Sequence, residues 1–196
     1  MTLLFMLRHG PTAWNAEKRI QGSADVPLSA AGRATVAGWR LPAGFDRHLW
    51  VSSPLCRAME TATLLLGRPV PIEDRLREMA WGEWEGRLLA ELRAKGGAAM
   101  AANEELGLDF QPPGGESPRD LQARLRPWLA DVAKAGQPVG AVTHRGVIRA
   151  IYALAAGWDM TGRPSVRLDS GCLHVFRLAA DGTPHIERLN LPLAEP

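Results

Sequence analysis

Three short, strand-like runs in this chain each stop abruptly at a polar dipeptide, and this repetition restricts the fold more than any other feature. Thr2 to Leu7 runs into Arg8-His9-Gly10, His48 to Ser52 into Ser53-Pro54, and Pro138 to Thr143 into His144-Arg145-Gly146. The first run lacks clean alternation, as in a strand covered on both faces. Helical segments separate the runs. Ser29 is placed to cap a helix from Ala30 to about Arg40, which Gly32 and Gly38 weaken. Ser53 and Pro54 read as cap and first residue of another helix, with Leu55, Ala58, Met59, Ala62, Leu65 and Leu66 on one face. Val70 to Ile72 reads as a further short strand. Leu88 to Met100 has helical character, broken at Gly96-Gly97. Ser117 and Asp120 stand at capping-box spacing before a helix to about Lys134, which Pro127 is expected to kink. A last helix follows His144 through Val147, Ile148, Ile151 and Ala155. Gly171 to Leu178 and His185 to Leu191, joined at Asp181-Gly182, predict a terminal β-hairpin. Strands alternating with helices imply an α/β layer architecture. No repeat or linker divides the chain, so residues 1–196 are expected to form a single domain.

Composition narrows the function. Apolar residues make up 46% and charged residues 22% of the 196, which fits a soluble globular protein with one well-filled core. The 23 basic and 21 acidic residues are scattered rather than clustered, which argues against a nucleic-acid partner. Cys56 and Cys172 lie far apart in no redox or metal motif, so a cytoplasmic location is expected. The apolar start is too short for a signal peptide and lacks a basic leader, and no run reaches membrane-span length. Among the histidines there is no His-x-His or His-x-x-x-His pair, nor is there a Cys-x-x-Cys pair, so neither a metal site nor a cofactor is expected.

The polar ends of the runs carry chemistry of one kind. Arginine offers a planar fork of donors suited to phosphate, and histidine can attack or carry a proton near neutral pH. In an open α/β sheet such strand ends converge on one crevice, where a helix N-terminus adds N–H groups suited to an anion. Arg145, in the first turn of a helix, opposes the dipole there. An anionic ligand would offset this, and a solvated surface role is equally compatible. His48, His174 and His185 sit in strand-like segments and read as structural or exposed.

Taken in order, Arg8-His9-Gly10, Asn15, Ser52-Ser53-Pro54-Leu55-x-Arg57-Ala58-x-x-Thr61-Ala62, Glu78 before Trp81-Gly82-x-Trp84-Glu85-Gly86, and Thr143-His144-x-Gly146 resemble the histidine phosphatase superfamily. This group includes the cofactor-dependent phosphoglycerate mutases. The resemblance implies a three-layer fold with a mostly parallel central sheet and helices on both faces. It implies that His9 is the nucleophile that takes the phosphoryl group. Arg8, Arg57 and His144 would form the phosphate pocket, with Asn15 adding a hydrogen bond and Glu78 donating the proton to the leaving oxygen. Thr12, Gln21 and Gly22 fall where the family lines the substrate side, and Arg145 joins the candidate binding residues. Glu83 and Glu85 compete with Glu78, whose spacing from the Trp-Glu-Gly block favours it. Trp81 and Trp84 read as packing residues, with Trp81 a candidate wall of the pocket.

The residue types suit the chemistry independently of the resemblance. A neutral imidazole nitrogen can attack phosphorus, and fixed cations stabilise the charge on the phosphoryl group in flight without a metal. Pro11 stands where many family members carry an acidic or amide side chain, and Arg145 where glycine is frequent. The chain also lacks the long basic insertion with which mutases hold bisphosphoglycerate. Hydrolysis of a small phosphomonoester is therefore the expected activity, in a branch similar to α-ribazole phosphatases. A phosphoglycerate mutase is the alternative within the fold, and a non-catalytic phosphate- or protein-binding module the alternative outside catalysis. The sequence leaves the substrate open, and monomer and homodimer equally so.

Overall fold

The computed structural model describes residues 1–193; the last three residues of the expected domain lie outside that range. In chain order the elements are β1 (Thr2–Arg8), α1 (Ala13–Ala16), α2 (Ala30–Ala37), β2 (Leu49–Ser52), α3 (Cys56–Leu66), α4 (Leu89–Glu104), α5 (Pro118–Ala135), β3 (Val139–Thr143), α6 (Arg145–Ala156), β4 (Cys172–Leu178) and β5 (Pro184–Pro192). The strands form one sheet in the order β2-β3-β1-β4-β5. Strands β2, β3 and β1 pair in parallel, while β4 is antiparallel to both β1 and β5, so four of the five strands point the same way.

The period of two along each strand sorts side chains to two cores. Leu4 and Met6 of β1, Val139 and Ala141 of β3, and Phe176 and Leu178 of β4 face α5 and α6. From those helices Leu121, Leu125, Trp128 and Leu129, then Val147, Ile148 and Ile151, close this side. On the opposite face Leu7, Trp50, Val142 and Leu173 meet Ala58 and Ala62 of α3. Helices thus cover both faces, which is why β1 and β3 read as continuous apolar runs.

Several local expectations change. Val70 to Ile72 makes only a single bridge, Ile72 to Ser52, because Pro69 and Pro71 have no N–H with which to extend a ladder. Helix α2 stops at Ala37, where Gly38 forms its C-cap, short of Arg40. Helix α3 begins at Cys56 rather than Pro54, and Ser53 does not cap it. The cap comes from far along the chain, as the Asp25 carboxylate accepts from the Cys56 N–H at 2.7 Å. Helix α5 runs unbroken through Pro127, held by the buried face that flanks it. The reciprocal Ser117–Asp120 capping box, the break at Gly97 and the terminal hairpin are where the sequence places them. No helix among the described residues is long and apolar enough to cross a membrane.

Candidate active site

The C-terminal ends of three adjacent parallel strands create the site. The His9 N–H donates to the Thr143 carbonyl at 2.9 Å, and the Ser53 N–H donates to the Val142 carbonyl at 3.0 Å. These bonds continue the sheet one residue past each strand and fix His9, Ser53 and His144 side by side. A cavity of about 860 Å³ opens above them, with Arg8, His9, Asn15, Arg57, Glu78 and Arg145 among its walls.

His9 is 6% exposed. Its Nδ1 lies 2.7 Å from the Gly10 carbonyl oxygen. A carbonyl only accepts, so Nδ1 carries the proton and Nε2 keeps its lone pair. Burial, reinforced by the charges of Arg8 and Arg57, holds the His9 imidazolium well below the ordinary histidine range. The ring is therefore held neutral with the Nε2 lone pair free, the form in which an imidazole can attack phosphorus. His144 stacks obliquely against it with ring centroids 5.2 Å apart. His144 Nε2 is 2.7 Å from Ser53 Oγ, and its Nδ1 is buried with no hydrogen-bond partner among the described residues.

Two arginines complete the cluster. Arg57 is fully buried and donates to the carbonyls of Ala24 at 2.7 Å and Gly22 at 2.8 Å. Arg8 donates to Ser170 Oγ at 2.8 Å. The Nε of each is buried and unpartnered among the described residues. Two guanidinium groups, each with an unpartnered Nε, thus stand with the unpartnered His144 Nδ1 around one neutral histidine, a concentration of positive charge suited to an oxyanion.

Glu78 sits across the cavity. Its carboxylate accepts from the Met79 N–H at 2.9 Å and from the Gly146 N–H at 3.1 Å. Burial raises its proton affinity, against the pull of these two donors and of Arg57 and Arg8. A Cβ on Gly146 would overlap the Glu78 carboxylate, so glycine there leaves the carboxylate its place. The Glu78 loop is pinned from α5. Arg124 donates to the carbonyls of Arg75 at 2.6 Å and Arg77 at 3.1 Å, and pairs with Glu116 at 2.9 Å. The Glu116 carboxylate in turn accepts from the Ala80 N–H. The competing carboxylates are elsewhere. Glu83 is exposed, and Glu85 is occupied by the Ser23 N–H, the Ser23 hydroxyl and the Trp81 N–H.

The remaining candidates divide. Asn15, Gln21, Gly22 and Arg145 border the cavity, and Trp81 walls it. Thr12 is buried and caps α1, its one hydroxyl proton within reach of the side-chain oxygens of Asn15 and Gln21. Gly22 combines two tasks: its carbonyl holds Arg57, and its positive φ fits only beside Glu85 without a side chain. Of the other histidines, His48 packs on Phe5 and His174 is buried against the Asp169 carbonyl. Arg124, Arg149 and Ser170 support or border the site although no sequence motif marks them, while Ser53 and Thr61, which the sequence places in a motif block without a site role, support it from below. Thr61 Oγ1 accepts from the Gly10 N–H and donates to the Arg57 carbonyl, tying the two blocks together. Its place in the Arg57-x-x-x-Thr61 spacing, one helical turn apart, was the available signal. Ser170 lies in an unpatterned loop that Asn190 holds through Arg167 and Asp169, and nothing local marks it. No group of three or more His, Cys, Asp or Glu side chains that could hold a metal ion occurs among the described residues.

Comparison with known proteins agrees with this geometry. The profile of the histidine phosphatase superfamily (branch 1) matches residues 4–192. Over 175 residues the chain is 37% identical to the glucosyl-3-phosphoglycerate phosphatase of Mycolicibacterium vanbaalenii, covering 82% of this chain and 77% of the other. It is 32% identical over 194 residues to the 2,3-bisphosphoglycerate-dependent phosphoglycerate mutase of Methylobacterium radiotolerans, covering 92% of each. The crystal structure of the α-ribazole phosphatase from Shigella flexneri superposes with a TM-score of 0.77 at 26% identity, across the whole of both chains. The mutase match is nearly end to end, so the missing insertion does not by itself separate phosphatase from mutase. With the profile matched along almost its whole length and the motif residues gathered at one cavity, the chain belongs to the histidine phosphatase superfamily.

Proposed function

We propose that this phosphatase hydrolyses small phosphomonoesters without a metal ion, through a phosphohistidine at His9. Arg8, Arg57 and His144 hold the phosphate, with Asn15 beside them. In the first step His9 Nε2 bonds to phosphorus as the ester P–O bond breaks, and Glu78 gives its proton to the leaving oxygen. In the second step the Glu78 carboxylate takes a proton from water as that water attacks the phosphohistidine, which frees phosphate and restores His9. The observation that carries this reading is the neutral His9 ring, its Nδ1 proton committed to Gly10 and its neighbours' buried donors unpartnered. Charge on the phosphoryl group in flight then meets fixed cations that need no reorganisation. Sugar-linked phosphoglycerates, the substrate class named for the mycobacterial relative, are the first compounds to assay. Cys56 and Cys172 are both free thiols, which supports a cytoplasmic placement.

The mutase likeness keeps a second reading in view. One experiment decides between them. Purified protein treated exhaustively with chelator is given 3-phosphoglycerate, with and without 2,3-bisphosphoglycerate, and both free phosphate and the 2-phospho isomer are measured. Phosphate release with no isomer supports the proposal. Isomer formed faster than phosphate supports the mutase, and activity that returns only with a divalent ion refutes the metal-free mechanism.

A further inference from the structure

Glu85 is a motif carboxylate that the proposed chemistry leaves unused. Its Oε1 accepts three hydrogen bonds, from the Ser23 N–H at 2.7 Å, the Ser23 hydroxyl at 2.8 Å and the Trp81 N–H at 3.0 Å. It thereby joins two segments that both reach the cavity, one at Gly22 and the other at Trp81. The two segments are not held alike. The stretch before Trp81 is fixed independently, because Arg124 holds the carbonyls of Arg75 and Arg77 and Glu116 holds the Ala80 N–H. The segment 22–25 belongs to no helix or strand, and Gly22 turns it with a φ of 53°. A Cβ on Gly22 would overlap Glu85 Oε1, so the carboxylate is packed directly against this turn. The same turn holds Arg57. The Gly22 and Ala24 carbonyls that accept from its guanidinium flank Ser23, the residue Glu85 grips from both backbone and side chain. Arg57 makes no ion pair among the described residues, so these two neutral acceptors orient its guanidinium and leave its charge for an anion.

We infer that Glu85 is a positioning residue: by tying Ser23 to the Trp81 backbone it fixes the two-carbonyl clamp on Arg57, and through Arg57 the charge that meets the phosphoryl group. The anchored segment before Trp81 supplies the rigidity that the turn at 22–25 lacks, and preorganised charge is what a phosphoryl group in flight requires. Glu85 touches no reacting atom, so its removal should slow transfer whatever group leaves. Its work is acceptance of hydrogen bonds, which a glutamine carbonyl oxygen can also perform. The inference rests on the reading of Arg57 as a holder of phosphate.

The test is single-turnover transfer to His9 from an alkyl phosphate and from a nitrophenyl phosphate. Glu85→Ala should slow both by a similar factor, about 10–100-fold. Glu85→Gln should recover most of that loss. In an Arg57→Met background, where no guanidinium is left to position, Glu85→Ala should cost no more than about a further twofold. Thermal unfolding checks that each variant folds, and Ser23→Ala, which removes one of the three hydrogen bonds, carries the comparison with a smaller loss if Glu85→Ala does not fold. Calorimetric binding of inorganic phosphate removes turnover from the question. Phosphate binding weakened in Glu85→Ala and restored in Glu85→Gln, in a protein that turns over no phosphomonoester, supports the positioning role and defeats the phosphatase reading alone. Wild-type transfer by Glu85→Ala, a loss confined to the alkyl phosphate, or an undiminished loss in the Arg57→Met background overturns the positioning role alone.

Discussion

Replacing Gly146 with alanine should disable the proton donor while leaving the fold standing. A Cβ at this position overlaps Glu78 Oε1, the tip of a flexible side chain, so the carboxylate rather than the backbone must give way. The displaced group loses the 3.1 Å hydrogen bond from the Gly146 N–H, worth about 1–3 kcal/mol depending on its charge. Alanine recovers about 1 kcal/mol of helix propensity at this place in the first turn of α6. Net stability should therefore change by less than about 2 kcal/mol. Catalysis should suffer more, because a shift of about 1 Å in a reacting group costs on the order of 10²-fold. The loss should follow the leaving group. An alkyl phosphate departs as a basic alkoxide and needs the proton, so its single-turnover transfer to His9 should fall about 10²-fold. A nitrophenyl phosphate departs as a stable anion and should lose only a few-fold by the same reasoning. Glu78→Gln should reproduce the pattern, with an alkyl phosphate loss of about 10²–10⁴-fold. Rapid-quench measurement of both substrates, with thermal unfolding alongside, reads these outcomes. Wild-type transfer of the alkyl phosphate by Gly146→Ala, or equal losses on both substrates, would refute Glu78 as the acid.

Arg57→Lys should slow alkyl and nitrophenyl phosphates by a similar factor, because charge on the phosphoryl group must be stabilised whatever leaves; single-turnover transfer with both substrates checks it. The same variant should melt lower, since lysine lacks the fork whose two separate nitrogens reach the carbonyls of Ala24 and Gly22. Burial depresses the His9 proton affinity in the native state, so below about pH 6.5 the unfolded chain binds a proton that the folded one refuses. Native stability is thus lost as pH falls from about 6.5 toward the folded-state value, and His9→Asn should gain on wild type over that window in denaturant titrations; a constant difference would contradict a buried neutral ring. Vanadate, which can mimic the transferring phosphoryl group, should inhibit competitively in steady-state assays with chelator present.

What could be read from the sequence followed physical locality. Strands β1 and β3 were legible because both their faces are buried, and the Ser117–Asp120 box because capping is a contact across three residues. His9, Arg57, Glu78 and His144 could be named from their blocks, and the strand ends were expected to converge; the sequence does not show that the first three line the cavity while His144 is buried against the His9 ring. The misread elements depend on distant partners. Ser53 was read as the cap of α3, but His144, 91 residues away, takes its hydroxyl, and Asp25 supplies the cap. Pro127 is expected to kink or loosen α5; the helix nonetheless stays continuous from Pro118 to Ala135, with Leu125, Trp128 and Leu129 buried on either side of the proline. Ser170 and Arg124 reach the site only through tertiary hydrogen bonds, which no pattern in the chain announces.

The central claim is a covalent bond between phosphorus and His9. Protein mixed with a labelled phosphomonoester and quenched within milliseconds should carry acid-labile, base-stable phosphate, and fragmentation by electron-transfer mass spectrometry should place it on His9. The His9→Ala protein should fold, carry no label and release no phosphate. Label on another residue, or turnover by His9→Ala, would contradict the account.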